Sequence, residues 1–370
     1  MKFLSKFLYK FTAFFLVLLA LSGSLCACGQ KKLMTYEGLS VTSGMYSYWM
    51  SSYKTYYLYM LGGEDTEEFL QSTVLDGITV ADYIANMVNE IAKSNLISLY
   101  LFDEYKLSLS ESTLTGIDAD IDALIDEAGG RSAMNERLAP LGINVDILRD
   151  IYIAEQKTYA VMDYLYGSSA NGVIGAEAIT DAQREEFYQE NYVAVKHILI
   201  RTADKTEKDE NGEIVYDANG NPKSVELTEE EKQEKQELIE SIVKQLDDGA
   251  DFDELLEKYN EDSGAEVYAD GYILAQFSNY PESFIDAAFD MEIGERRVVE
   301  EDYGTHIMLK VPLKEEAYND AVYVNMLSNF EEVLRSEIYS KKIAPMAENI
   351  VIDEDALSDY SILSTPVGIV

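Results

Sequence analysis

Two hydrophobic periodicities divide the chain. From about Ser43 to Gly167, apolar residues recur at helical spacing. MYSYWMSSYKTYYLYM sets Tyr46, Trp49, Tyr53, Tyr56 and Met60 along one stripe. Tyr83 to Tyr105 carries Ile84, Met87, Val88, Ile91, Ile97 and Tyr100 on another. ESTLTGIDADIDALIDEAGG ends in Gly129-Gly130, a helix stop. A short helix around Ser132 to Leu138 and a long one from Asn144 to Tyr166, halted at Gly167, complete this set, and SSANG reads as a linker.

After Thr180-Asp-Ala-Gln183, a capping box for one more helix, the period changes. Tyr192 to Thr202 reads YVAVKHILIRT. Its β-branched and aliphatic residues from Val193 to Ile200 predict a buried strand with His197 in the middle. The polar excursion TADKTEKDENGEIVYDANGNPKSVEL follows, and its Asn211-Gly212 and Asn219-Gly220-Asn221-Pro222 turns predict a β-ribbon or hairpin. Calcium-loop spacing with a closing Glu is absent there, so the Asp/Asn/Gly content reads as a turn tip. Thr228-Glu-Glu-Glu231 and Asp251 cap two further helices, GYILAQF is a strand, and Pro281 begins a helix with Phe284. MEIGERRVVEEDYGTHIMLKVP closes the region as two strands, the last holding His306. The order is β-α-α-β-α-β-β. Tyr318 to Ile343 reads as one long amphipathic helix, and the remainder as a weakly patterned tail.

Charge narrows the function. Sixty-eight acidic residues against 29 basic ones give a formal net charge of −39, a surface that repels nucleic acid and anionic headgroups. With 47% hydrophobic residues the chain is nonetheless a folded, globular one. At the start, Lys2, Lys6 and Lys10 precede an apolar run, Phe11 to Leu21, too short to span a bilayer comfortably. Leu25-Cys26-Ala27-Cys28 resembles the bacterial lipobox, which implies a diacylglycerol thioether on Cys28. A Cys26–Cys28 disulfide is the competing reading. Two acyl chains are enough for stable anchoring without a basic patch.

Four ordered motifs then resemble the parvulin prolyl isomerases: KHILI at 196–200, DFDELLEKYNED at 251–262, FIDAAFDMEIGE at 284–295 and YGTHIMLKV at 303–311. The resemblance covers about 191 to 314. With the lipobox and the flanking helical segments it extends to the PrsA-type foldase lipoproteins, in which a parvulin domain is inserted into a SurA-like helical chaperone domain. It implies that His197 and His306 lie side by side on neighbouring strands beneath the active site. Asp262 then matches the acid facing the substrate peptide bond, so these three are the catalytic candidates. Ile273, Phe277, Tyr280 and Phe284 are the implied substrate-binding residues, an apolar cup for the proline ring. The pattern also departs from the family: Ala269-Asp270-Gly271 replaces Gly-Gly, Tyr272 replaces the next Asp, and Glu301 stands where Ser or Thr is common.

The expected fold class is α+β, a β-α-α-β-α-β-β parvulin domain inserted into a mostly helical one. The expected division is a signal peptide over 1–27, a lipidated tether over 28–42 and a helical chaperone domain over 43–190. The isomerase domain follows over 191–314, then a C-terminal helical segment over 315–370 that packs with the N-terminal domain. The expected function is isomerisation of X–Pro bonds in unfolded or newly exported proteins, on the extracytoplasmic face of the cell membrane. It needs no cofactor, metal or nucleic acid, and a homodimer is compatible with it. A catalytically weak parvulin-like holdase is the principal alternative. A transporter's solute-binding lipoprotein is a remote one, because it would alternate strands and helices where Ser43 to Gly167 does not.

Overall fold

The computed structural model describes residues 30–75, 77–167, 175–207, 209–211, 213–216, 223–276 and 278–369. Residues 1–29 with Cys26 and Cys28, the residues expected as the SSANG linker, Gly212, Asn219 to Pro222 and Phe277 lie outside the described residues. The chain divides into two compact units, one of residues up to Ile179 together with Arg335 onward, the other Thr180–Leu334.

The first unit opens with a hairpin, β1 (Lys32–Tyr36) and β2 (Leu39–Thr42). Glu37 and Gly38 between them both have positive φ, 47° and 86°, the turn whose twist suits two antiparallel strands. Residues 32–42 are therefore not the tether expected. These strands are too short to show a period, so no local pattern marks them. Thr42 then caps α1 (Ser43–Met60), accepting from the Met45 N–H. Along its stripe Tyr46 and Trp49 are core, Tyr53 and Tyr56 are half-buried and Met60 is exposed. A small α2 (Glu67–Gln71) and the pair β3 (Thr73–Leu75) and β4 (Ile78–Thr79) lead to α3 (Val80–Glu104). Ile84, Val88, Ala92 and Leu96 make the buried stripe of α3, which packs on α1 and on a later helix, α6 (Val145–Tyr166). Between them lie α4 (Glu111–Ala128), ended by left-handed Gly129, and α5 (Arg131–Leu138).

The second unit begins with α7 (Asp181–Asn191), whose capping box joins Thr180 and Gln183. It runs into β5 (Tyr192–Arg201). A two-stranded ribbon, β6 (Asp204–Thr206) with β7 (Ser224–Glu226), is followed by α8 (Glu229–Asp247) and α9 (Phe252–Tyr259). Then come β8 (Tyr272–Ala275), α10 (Glu282–Asp290), β9 (Arg296–Glu301) and β10 (Gly304–Val311). The four long-range strands form one antiparallel sheet in the order β8-β5-β10-β9. Strand alternation sorts its side chains. Ile198, Ile200 and Ile307 meet Ile239, Ile242, Leu246, Phe252 and Leu255 of α8 and α9. Val195, Tyr272, Leu274 and Met308 take the opposite face, with Phe284, Ile285 and Ala288 of α10.

The expected helix over Tyr318 to Ile343 starts later, as α11 (Phe330–Ala347). Residues 321–329 are turns instead, because aromatic anchors outweigh their periodicity. Tyr323 is buried, and Tyr318 stacks on Phe330 at 4.7 Å, nearly parallel. Asp320 accepts from the Val322 N–H, a local bond that competes with helix. Back in the first unit, Tyr339 and Ile343 of α11 pack with Ile97, Leu101, Phe102, Val161 and Leu165. The weakly patterned tail is structured. β11 (Val351–Ile352) pairs with β1, Met34 opposite Ile352, α12 (Glu354–Leu357) follows, and Ile362 is buried.

Candidate active site

His197 and His306 are brought together by sheet register. β10 pairs with β5 so that His306 lies opposite Leu199 and His197 opposite Met308, which makes the two histidines diagonal neighbours on one face. Both are buried, with His306 Nδ1 3.0 Å from His197 Nδ1.

Asp262 reaches this pair because its loop stands in for a missing strand. β8 pairs only with Tyr192 to Val195, which leaves the outer end of β5 without a neighbour there. Leu199 N–H donates to Asn260 Oδ1 at 2.7 Å, Glu261 N–H to the Leu199 carbonyl at 2.9 Å, and Arg201 N–H to Glu261 Oε2 at 2.7 Å. Backbone groups that would otherwise lack partners are satisfied by the loop. Asp262 Oδ2 then sits 3.1 Å from His197 Nε2, close but poorly aligned with the ring N–H. The Tyr272 hydroxyl donates to the same oxygen at 2.5 Å, and Gly264 N–H donates to Oδ1 at 3.0 Å. A Cβ on Gly264 would lie 2.3 Å from Tyr272 Oη, so only glycine lets that hydroxyl through.

These contacts direct the protons. The His197 contact, then the Tyr272 hydroxyl and Gly264 N–H, hold the Asp262 carboxyl well below its ordinary range against the opposing effect of burial. An ionised carboxylate only accepts, so His197 Nε2 carries the hydrogen facing it. With His306 neutral and its hydrogen on Nδ1, that N–H donates to His197 Nδ1. His306 Nε2 in turn accepts from the Tyr303 hydroxyl at 2.8 Å. Burial, and secondarily His197, lowers the His306 pKa to about 4. The result is a polar relay in which hydrogen bonds link Tyr303, His306 and His197, and a 3.1 Å contact brings His197 Nε2 to one anion.

Phe284 closes the other side. It is fully buried, with its ring centroid 5.3 Å from His197 and 5.0 Å from His306, and Tyr280 stacks on it at 5.4 Å. Tyr280 is 37% exposed and faces Tyr272 edge-on. His197, Asp262, His306, Tyr280 and Phe284 therefore converge. Ile273 does not: it pairs with Ala194, and alternation turns it to the sheet face opposite His197. Tyr272 takes the place expected for Ile273. Phe277 and Cys28 lie outside the described residues. Two participants were missed, Tyr272 and Tyr303. Tyr303 supplies the hydroxyl expected from a Ser or Thr at position 301, while Glu301 itself pairs with Ser283.

Residues 182–312 match the sequence profile of the PPIC-type PPIase domain, peptidyl-prolyl isomerases of the parvulin type. This segment is a parvulin-type PPIase domain. The match begins nine residues before the 191 expected from the motifs and so takes in α7. No curated protein matches the chain. Solved structures similar to it include PrsA from Bacillus subtilis, 19% identical over 77% of this chain and 93% of that one, with a TM-score of 0.24. PrsA from Bacillus cereus is 18% identical over 77% and 94%, with a TM-score of 0.26. PrsA from Bacillus anthracis is 18% identical over 70% and 95%, with a TM-score of 0.23.

Proposed function

We propose that the chain is a PrsA-type foldase. It is lipidated at Cys28 on the extracytoplasmic face of the membrane and isomerises X–Pro bonds of newly exported proteins. The observation that carries the enzymatic part is the juxtaposition of the Tyr280–Phe284 aromatic stack with the His306–His197–Asp262 relay inside the isomerase domain. The anchor rests on the lipobox-like LCAC and the preceding basic and apolar runs.

Rotation about X–Pro crosses a barrier of roughly 18–20 kcal/mol and needs no bond cleavage. The aromatic stack receives the pyrrolidine ring, while the relay presents a fixed array of dipoles to the turning carbonyl and favours the twisted amide. Asp262 acts here as a positioning residue, since His197, Tyr272 and Gly264 occupy its oxygens. A phosphate before proline is not accommodated. Arg201 and Lys205, the described cations that follow His197 most closely, are engaged by Asp204 and Glu231.

The test is a protease-coupled isomerisation assay on the full-length chain, beside Asp262→Ala and His306→Ala. Acceleration by the wild type and loss in both variants is expected; no acceleration by the wild type would sink the enzymatic reading. Phe284 is fully buried beneath Tyr280, so a proline ring reaches it only when Tyr280 swings aside; a Tyr280 that stays in place leaves the holdase alternative. Suppressed aggregation of an unfolded client without isomerisation would support it. For the anchor, Cys28→Ala should release the chain from membranes.

A further inference from the structure

Within the first unit, α1, α3 and α6 enclose a cavity of ≈ 150 Å³. The rings of Trp49, Tyr53, Tyr56 and Tyr159 line it, and Asn95 and Glu155 supply its polar wall. Among the lining residues there is no cation, and Ser52, Ser94 and Thr158 add hydroxyls that can accept. Glu155 Oε1 takes one hydrogen bond, from Trp49 Nε1 at 2.9 Å. Asn95 is 4% exposed; its Nδ2 donates to Thr158 Oγ1 at 3.0 Å and, at 3.4 Å, to the Ala154 carbonyl. That carbonyl can only accept, so the amide cannot be reversed, and Asn95 Oδ1 is left buried without a partner.

A half-buried carboxylate, an orphan acceptor and a surround of aromatic rings are complementary to one kind of guest. We propose that this cavity binds the ammonium or guanidinium head of a lysine or arginine side chain on a polypeptide client. Its donors meet Glu155, its charge lies against the rings, its methylene stem is covered by the same aromatic surface, and a small shift of the Asn95 amide brings the unpartnered Oδ1 to it. Cavities of this size admit a guest as large as benzene. The formal charge of −39 draws basic segments toward the chain. Burial pushes the Glu155 carboxyl up to about 7, opposed by the indole N–H, a cost that an entering cation removes.

The proposal rests on the client-binding part of the function above, but its readout is independent of isomerisation. Trp49 is the chain's single tryptophan, so its emission reports this cavity alone. The full-length chain is titrated with end-blocked, proline-free peptides carrying one Arg or Lys, and with peptides carrying citrulline or norleucine in their place. Saturable shifts in emission are expected for Arg and Lys only, and Glu155→Gln should weaken them about tenfold, the worth of one charge-assisted hydrogen bond. Equal responses to the neutral peptides, or none to any, would overturn the proposal without reference to the variant. A response to n-butylammonium with none to the peptides would reassign the cavity to small free cations and equally overturn it. An inactive isomerase domain leaves every one of these outcomes unchanged.

Discussion

His306 and His197 share one hydrogen bond through their Nδ1 atoms, 3.0 Å apart, across a diagonal of the sheet. Such a bond needs one donor and one acceptor, so it cannot survive protonation of both rings. Burial depresses the His306 pKa to about 4 from 6.5. The unfolded chain therefore takes up a proton near pH 6.5 that the folded one refuses until about pH 4. Stability from this group is complete above pH 6.5 and falls away between pH 6.5 and 4, by roughly 3 kcal/mol at the lower end. The chain has two histidines, so two imidazole resonances suffice to check this by NMR. One should titrate near pH 4 and disappear in His306→Gln. Titration of that resonance at 6.5 or above would contradict a buried neutral ring.

Tyr272 and Gly264 act as one device. Replacing the Tyr272 hydroxyl in Tyr272→Phe removes a hydrogen bond to a carboxylate, at a cost of about 1.5–3 kcal/mol. Gly264→Ala should mimic it, since the new Cβ displaces that hydroxyl. Asp262 has a lowered folded pKa, so it stabilises above its ordinary range near pH 4 and loses that contribution as pH falls further. Both variants should flatten this acid-limb dependence in urea unfolding. A slope equal to the wild type in either would show that the hydroxyl does not hold the carboxylate.

The sequence displays this site unevenly, for a physical reason. Helices α3, α6 and α8 are legible because long amphipathic stripes and caps such as Thr228 are local. The histidines are legible through the motifs around them. Ile273 was misplaced and Tyr272 missed because a single-residue choice on a four-residue strand depends on its register against β5, a long-range quantity. The hairpin at 32–42 and the strand at 351–352 escape for the same reason: each is too short to carry a period, and each is defined by its partner.

Tyr280 and Phe284 should separate binding from folding. Phe284 is fully buried, and Phe284→Ala should cost about 3–5 kcal/mol of stability. Tyr280 is 37% exposed but stacks on Phe284, so Tyr280→Ala should cost less than Phe284→Ala, about 1–2 kcal/mol. If Tyr280 forms one wall of the proline site, that variant should raise KM severalfold with little change in kcat, the pattern of lost uniform binding. An unchanged KM would remove Tyr280 from the site.

The tail makes the last case. Ile362 is buried in the core of the first unit beside the hairpin and α1, and the Thr365 carbonyl accepts from Lys54, whose side chain is 1% exposed. A tail holding such contacts is part of the fold, so Ile362→Ala should destabilise the first unit by about 2–4 kcal/mol. Trp49 lies in the same cluster, and urea unfolding followed by its emission reads this unit specifically. The midpoint should fall without a change in slope, because the cavity alters stability and not the surface exposed on unfolding. Isomerase activity should be retained in the folded variant, since no residue of the 262–306 site contacts Ile362 within its cluster. An unmoved midpoint would return the tail to the role of an appendage.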